Sequence, residues 1–502
     1  ARRTLMEAYN AQLDSLERRS HLKELEVFFT AVASVYDPHT AYLPPQRKEE
    51  LDVQLSGTTE GIGVLLEARG HQRVIAGLIP GSTGWQLGTL AVGDVVVMVA
   101  EAKRDPVALV DMPLDEATAL LQGPRGSTIV LTVQKPNGRT ITVQVRRDTV
   151  VLIETFARGA LLTFPKKDQR HPTGYIHLPR MYGDPREGGA EPGGRRSSDD
   201  VGVLLDALKQ RGIQHLILDL RNNGGGFLDD ARRIAGFFID QGPVAQLQHA
   251  DGTLNILQDE TPGMRYSGHV VLLVNGETHS SAEVLAAALQ DHDRALVVGS
   301  PQTYGKGTAQ IIVDLDAYIQ APGLEALRPL GFVKLSNQRI YRIQGASLQR
   351  RGVRPALLLP DPDAAAPHGE RHLDGSLPWM EIAPLSIDHQ AALPGSLDAL
   401  RAASLRRQQH TPALRRLAQQ ASHQHRTPPT SVPLDLNAMR THNTRRRSAP
   451  SKPHPEEASP RLQVAPLQTH PNPDPGRDHW NTEVAHDPWI HECLHILNDM
   501  AH

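Results

Sequence analysis

Between Val270 and Gln310 long apolar runs alternate with short polar breaks, and the rest of the chain is organised around this stretch. Val270-Val271-Leu272-Leu273-Val274 is a continuous apolar run, the pattern of a strand buried on both faces. Asn275-Gly276-Glu277 breaks it, and Val284-Leu285-Ala286-Ala287-Ala288-Leu289 then reads as a helix. Ala295-Leu296-Val297-Val298-Gly299 is a second apolar strand, followed by the loop Tyr304-Gly305-Lys306-Gly307. Strand, helix, strand at this length predicts a βαβ unit with parallel strands and a right-handed crossover. Ser280 follows the first strand and Lys306 the second, so both are expected at one edge of one sheet, where open α/β sheets place their chemistry. A hydroxyl and an amine meeting there suggest a nucleophile and its base.

Upstream, residues 1–36 read as helical, with Leu5, Leu13, Leu16, Leu22, Leu25 and Phe28-Phe29 forming an apolar stripe among charges. Asp37-Pro38-His39-Thr40 stops that segment, and a histidine in such a turn reads as structural. From Gly57 to about Asp148 the pattern changes to short strands and glycine turns: Glu60 to Leu66, Val74 to Ser82 and Gly93 to Val99. Pro113 to Leu121 is a helix with Asp115 and Glu116 in its first turn, favourable to the helix dipole. Ile129 to Val133 and Thr140 to Val145 form a hairpin about Asn137-Gly138. This order resembles a PDZ domain in the permuted arrangement of bacterial proteases. The resemblance implies that the loop of Gly61, Ile62 and Gly63 offers backbone N–H groups to a peptide's terminal carboxylate, the peptide adding as a strand. Taken alone, the two-glycine turn would be only a turn.

A new α/β region starts at Thr173-Gly174-Tyr175-Ile176-His177-Leu178. Gly183 to Asp200 is polar and rich in Gly and Arg, the composition of a surface loop, and Val203 to Lys209 is helical. His215 to Leu220 is a strand ending in Arg221-Asn222-Asn223-Gly224-Gly225-Gly226, before a helix near Asp229 to Phe238. Three consecutive glycines cost backbone entropy and often let N–H groups approach a substrate. Beyond Gln310, Phe332 to Leu335 and Arg339 to Ile343 are expected to complete the sheet, which ends near Pro360. Residues 401–447 hold ten arginines, no lysine and one acid, Asp435, and residues 448–480 are rich in Pro and His. An arginine segment of this kind can bind an anionic surface, but it reads better as a basic, partly disordered tail. Asp487-Pro488-Trp489-Ile490 opens a final helix.

At 502 residues the chain is too long for one core. With 53 basic against 56 acidic residues, nothing global points to nucleic acid. No apolar run approaches the roughly 20 residues that span a bilayer. The chain opens at Ala1 without a signal peptide, as a processed or trimmed chain does. Cys493 is the single cysteine, which excludes internal disulfides.

Serine is a weak nucleophile until a base takes its proton. His279 is adjacent to Ser280, but neighbouring side chains point apart. Lysine serves if it is desolvated, since burial disfavours the ammonium; a shift of about three units from 10.4, roughly 4 kcal/mol, makes it neutral. Both residues also have plainer readings. Ser280-Ser281-Ala282-Glu283 is the S-x-x-E capping box of a helix N-terminus, a role that can coexist with nucleophilicity. Lys306 alone reads as a solvated loop lysine.

Three segments carry a more specific signal: Thr278-His279-Ser280-Ser281-Ala282-Glu283, Gln290 to Gly299, and Thr303-Tyr304-Gly305-Lys306-Gly307-Thr308-Ala309-Gln310. Together they resemble the catalytic signature of the C-terminal processing peptidases (serine protease family S41), closest to the periplasmic tail-specific proteases of Gram-negative bacteria. The likeness extends to Asp37 to Leu43, Glu60 to Gly63, Asp219 to Gly226 and Leu377-Pro378-Trp379, covering about residues 20–380, and more weakly to Asp487 to Leu497. It implies Ser280 as nucleophile, Lys306 as general base and Gln310 as the residue orienting the lysine, with the backbone N–H groups of Gly225 and Ser281 as oxyanion hole. Gly224 competes with Gly225 within the glycine run.

The resemblance further implies an α/β fold, with a crotonase/ClpP-like protease core, an inserted β-rich PDZ domain, and helical N- and C-terminal segments. The expected division is residues 1–56 helical, 57–148 PDZ, 149–360 protease core and 361–502 C-terminal helical and low-complexity region. It implies a serine endopeptidase without metal or cofactor, acting in the periplasm on proteins with free, apolar C-termini, with an adaptor lipoprotein as a further partner. The sequence departs from the family at His279, where a small residue is usual, and in Ser300-Pro301-Gln302-Thr303, which is one residue longer. The N-terminal helical region is also short and the C-terminal region unusually rich in Arg, Pro and His. The rival readings are a catalytically impaired PDZ adaptor that binds C-termini, against which Ser280, Lys306 and Gln310 argue, and a small-ligand carrier like the related vertebrate retinoid-binding protein, against which the PDZ domain argues.

Overall fold

The computed structural model describes Met6 and residues 21–501, apart from residues 102–104, 165–171, 186–194, 320, 322, 324, 326–327, 366, 388–394, 427–434, 436–461 and 468–475. The chain is mixed α/β. Its central sheet has seven strands: β1 (Arg158–Thr163), β2 (Thr173–His177), β3 (His215–Asp219), β4 (His269–Val274), β5 (Leu296–Gly299), β6 (Leu357–Leu358) and β7 (Gln463–Pro466), in the order β6-β5-β4-β3-β2-β1-β7. Strands β2 to β6 run parallel, whereas β1 is antiparallel to both β2 and β7. The expected βαβ unit is present: β4, helix α3 (Ser281–Asp291) and β5 follow one another, with Val271 opposite Leu296.

Alternate residues of the central strands face opposite layers. Leu216, Leu218, Val270, Leu272, Val274 and Val297 pack under α1 (Ser197–Lys209), α2 (Leu228–Gly236) and α3. Ile217, Val271, Leu273, Leu296 and Val298 face the other way, where α4 (Leu397–His410), α5 (Pro412–Arg426), α6 (Arg477–His486) and α7 (Pro488–Met500) cover them with Leu400, Leu414, Trp480, Ile490, Leu494 and Leu497. A sheet covered on both faces explains why its strands read as unbroken apolar runs rather than alternating ones.

The C-terminal region differs from the tail expected of it. Residues 397–426 form two helices, and β7 joins the sheet through Ala160 opposite Pro466. Arg407 finds partners remote in sequence, donating to Glu492 at 3.0 Å and to Asp499 at 2.7 Å on α7. The Pro- and His-rich stretch lies mostly outside the described residues.

A second sheet of five strands sits beside the carboxyl edge of the first. Its spine is one strand, Phe332–Tyr341, paired with Thr308–Asp314 along one side and with Ala41–Leu43 and Gly242–His249 along the other; Leu254–Asp259 lies beyond. The expectation of two strands completing the central sheet is therefore corrected. Ser336-Asn337-Gln338 looks like a polar break, but it stays in the strand because tertiary partners satisfy it; Ser336 donates to Asp37 and Gln338 meets His249 at 2.9 Å. Helix α1 likewise starts at Ser197, earlier than expected, since the Ser198 N–H donates to Asp230 and Asp199 and Asp200 suit the first turn; residues 186–194 lie outside the described ones.

Residues 64–146 carry a third sheet in the order Val64–Arg69, Gln72–Leu78, Val95–Glu101, Thr128–Gln134, Thr140–Arg146, with Val107–Ala108 beside Val95–Glu101. The last two long strands form the expected hairpin, with Val133 opposite Ile141. This sheet has its own core, built around Ile62, Ile75, Val96, Ala117 and Leu131. Among the described residues strand Val64–Arg69 pairs only with Gln72–Leu78, and helix Leu114–Leu121 is nearby. The helix expected over residues 1–36 is described as His21–Ala33; residues 1–5 and 7–20 lie outside the described ones.

Candidate active site

Ser280 and Lys306 emerge beyond the carboxyl ends of β4 and β5, as the parallel pairing requires. Ser280 is the residue before α3, with φ 54° and ψ −120°. An ordinary N-cap is extended, so this backbone is strained, a state that persists only when its surroundings over-determine it. Glu283 does much of that. Its carboxylate is fully buried and accepts the Ser280 N–H at 2.8 Å and the Lys306 N–H at 2.9 Å on the same oxygen. Its other oxygen accepts from the Gly305 N–H at 2.7 Å and the Thr303 hydroxyl at 2.5 Å. The capping-box glutamate thus ties the Ser280 segment to the Lys306 segment across 23 positions. Burial pushes its carboxyl up to about 7, against hydrogen bonds from Thr303, Gly305, Ser280 and Lys306 that favour the ionised form.

This clamp makes Glu283→Gln informative. Either amide orientation aims an –NH2 group at donors that a carboxylate oxygen now satisfies. The loss of two buried hydrogen bonds is expected to destabilise the fold by about 2–4 kcal/mol, read as a lower denaturant midpoint at unchanged slope. A midpoint equal to wild type would mean that Glu283 is not what holds these two segments together.

The Lys306 amine donates to Gln310 Oε1 at 2.6 Å. Burial, with Lys334 nearby, pulls its pKa down to about 8, against the carboxylates of Glu370, Glu283 and Asp37. The amide nitrogen of Gln310 donates to the Thr308 and Ser336 hydroxyls, each at 3.0 Å. His279 is of another kind. Its ring lies against Tyr304 with centroids 3.8 Å apart, and burial pulls its pKa down to about 4, so it is neutral at pH 7.

The glycine loop comes up beside Ser280. Gly225 has φ 81°, and a Cβ there would stand 2.9 Å from the Ser280 Cβ and 3.1 Å from the His279 carbonyl oxygen, so only glycine fits. Its N–H donates to Asn223 Oδ1 at 2.9 Å. Among the described residues no acceptor takes the N–H of Ser281 or that of Gly224. The structure therefore brings Ser280, Ser281, Gly225, Lys306 and Gln310 to one sheet edge. Gly61 ends strand Thr58–Gly61, which pairs with Asp148–Val151, and Ile62 and Gly63 join it to Val64–Arg69 of the third sheet; Gly63 has φ 73°.

Other parts of this site were legible only as something else. Glu283 stood in the sequence as a capping residue, and His39 as a turn histidine. His39 Nε2 in fact meets Glu370 at 2.8 Å; Glu370 accepts from Gln349 at 2.8 Å, and Gln349 accepts the Gly307 N–H at 2.9 Å, next to Lys306. No local pattern marks Glu370, Gln349 or Ser336.

Comparison with known proteins places this edge. Residues 172–358 match Peptidase family S41, and residues 364–502 match the C-terminal domain of tail specific protease. The chain is 29% identical over 385 residues to the tail-specific protease of Haemophilus influenzae, covering 75% of this chain and 52% of that protein. It is 29% identical over 289 residues to the carboxyl-terminal-processing protease of Picosynechococcus, covering 57% of this chain and 63% of that one. Thus the chain spans little more than half to under two thirds of these relatives' length. The solved PDZ domain of a carboxy-terminal protease from Vibrio cholerae, in complex with peptide, is 28% identical, covering 18% of this chain and 97% of that one, with a TM-score of 0.18. The peptidase match lies over the edge that holds Ser280 and Lys306, and the tail specific match over the helices closing the sheet's other face, so residues 172–358 carry a Peptidase family S41 domain.

Proposed function

We propose that the chain is a serine endopeptidase with a Ser280/Lys306 dyad on a crotonase/ClpP-like core. Residues 57–148 act as a PDZ domain that recognises protein C-termini, and the bound substrate is degraded or trimmed. The observation that carries the reading is Lys306: an enclosed amine whose pKa of about 8 leaves a neutral fraction near physiological pH, held by Gln310 on the edge that presents Ser280. An adaptor without catalysis has no use for a lysine of lowered basicity beside a strained serine, so that alternative is not favoured.

In the reaction Ser280 Oγ attacks the scissile carbonyl while neutral Lys306 takes its proton. The oxyanion is met by the Ser281 N–H at the positive end of α3 and by an N–H of the glycine loop. Gly225 serves if it gives up or shares its bond to Asn223, and Gly224 is the unengaged neighbour. The lysine ammonium then protonates the leaving amine, and a water that gives its proton to Lys306 hydrolyses the acyl-enzyme. In the PDZ domain the tail adds along the free edge of Val64–Arg69, beside helix Leu114–Leu121, with its carboxylate at Gly61, Ile62 and Gly63. A periplasmic location belongs to the same proposal; among the described residues no helix is long and apolar enough to cross a membrane.

The test pairs an unfolded substrate carrying an apolar C-terminus with the same substrate amidated. Mass spectrometry is expected to show new termini with the free acid and slower turnover of the amide, which binds about tenfold or more weakly for want of a charge-assisted hydrogen bond. Equal affinities would remove the carboxylate mechanism, and absence of any new terminus would remove the peptidase.

A further inference from the structure

Lys306 is oriented by a chain of hydrogen bonds that runs beyond Gln310 and ends in the N-terminal part of the sequence. Gln310 and Ser336 face each other across the strands Thr308–Asp314 and Phe332–Tyr341. Gln310 Nε2 donates to Ser336 Oγ at 3.0 Å, and Ser336 Oγ donates to Asp37 Oδ1 at 3.0 Å. Asp37 is buried, 5% exposed, and is brought there because Ala41–Leu43 pairs with Phe332–Lys334. The Ser336 N–H, at 3.3 Å from Thr40 Oγ1, closes the turn onto the strand.

We infer that Asp37 and Ser336 are positioning residues for the catalytic lysine, acting by fixing which end of the Gln310 amide faces it. The inference deepens the protease reading and rests on it. Its physical basis is the direction of the protons. Asp37 already accepts from the His39 N–H at 2.8 Å, the Thr40 N–H at 3.2 Å and the Thr40 hydroxyl at 2.5 Å, so the group is an acceptor and nothing else. Burial works to raise its pKa, but the hydrogen bonds from Thr40, His39 and Ser336 outweigh this and hold it below the ordinary value. A hydroxyl facing such a carboxylate must donate to it. Ser336 is then left with lone pairs toward Gln310, and so is matched only by the amide's –NH2 end. The carbonyl end is thereby turned to Lys306, where it accepts a lysine proton and leaves the nitrogen lone pair for Ser280. With the amide reversed, its –NH2 group would donate into that lone pair, the one the base needs. The same carboxylate also supports the lysine's pKa across the site, together with Glu370 and Glu283 and against Lys334; His279 lies within the same electrostatic reach.

The test is steady-state proteolysis by the full chain with pH profiles, melting temperatures measured in parallel, and Ser280→Ala as the inactive reference. Ser336→Ala removes the link while leaving the Asp37 charge. It is expected to lower kcat about 10- to 100-fold with KM within about twofold and an unshifted acid limb. Ser336→Thr keeps the hydroxyl and is expected to recover activity to within about threefold of wild type. Asp37→Asn is expected to lower kcat at least as much and to move the acid limb to lower pH, since a negative charge near Lys306 is gone. If Asp37→Asn does not fold, the two Ser336 variants decide. Activity within twofold of wild type in Ser336→Ala, or a Ser336→Thr no better than Ser336→Ala, would overturn the inference while leaving the protease reading intact. A wild-type chain that cleaves no better than Ser280→Ala would overturn both.

Discussion

Lys306→Met is expected to abolish proteolysis, with at least about a 10⁴-fold loss of kcat, while the melting temperature stays within a few degrees of wild type. Methionine keeps most of the side-chain volume and removes the amine proposed to take the Ser280 proton. Ser280→Ala is expected to lose as much, and the double variant no more than either, because the two act as one unit. Lys306→Arg is expected to fail as well: guanidinium holds its proton near neutral pH. The pH profile follows from the same amine. Burial and Lys334 lower its pKa to about 8, so the neutral, active fraction grows as pH rises through that value. Turnover should climb about tenfold per unit below pH 7 and level off above about pH 9. An active Lys306→Arg protein, or a rate that falls steadily from pH 6 to 9 while the chain stays folded, would mean that another group is the base.

Ending the chain at Asp487 is expected to destroy cooperative folding. Helix α7 buries Trp489, Ile490, Cys493, Leu494, Ile496, Leu497 and Met500, each below 10% exposed, against the lower face of the central strands. At about 1.5–3 kcal/mol for each large apolar side chain, the loss is about 10–20 kcal/mol, against a total stability of about 5–15 kcal/mol for an ordinary domain. The truncation also strips Glu492 and Asp499 from Arg407. Insolubility or a featureless melting curve is the expected result. Leu497→Ala is the milder version, with an expected cost of about 2–5 kcal/mol. A truncated protein that melts like the full chain would show that the tail specific region is an accessory to the sheet rather than half of its core.

How far such features can be read without coordinates depends on whether their cause is local. The run Val270 to Val274, the helix after it and the run Ala295 to Gly299 were legible because strands buried on both faces need unbroken apolar sequence, and because two parallel strands joined by a helix must deliver Ser280 and Lys306 to the same edge. The hairpin about Asn137-Gly138 was legible for a similar reason, since its turn conformation is set by those two residues. A strand such as Phe332–Tyr341 was not. It is held by three partner strands, and its polar centre is satisfied by Asp37 and His249, which lie far away in sequence.

The same division runs through the site. Sequence alone determined the reacting residue types and their order along the chain, and, through the capping box, that Glu283 would reach back to the Ser280 N–H. Only the tertiary structure decided that this carboxylate also binds the Lys306 segment, that burial takes the amine to about 8, and that Asp37 stands behind Gln310. Nor could Arg407 reveal its place, since a charge run looks solvated until its acidic partners are known, and these are 85 and 92 positions away. Local periodicity and turn chemistry report on forces between neighbours. Desolvation and hydrogen-bond direction at the carboxyl edge arise from groups that only the folded chain brings together.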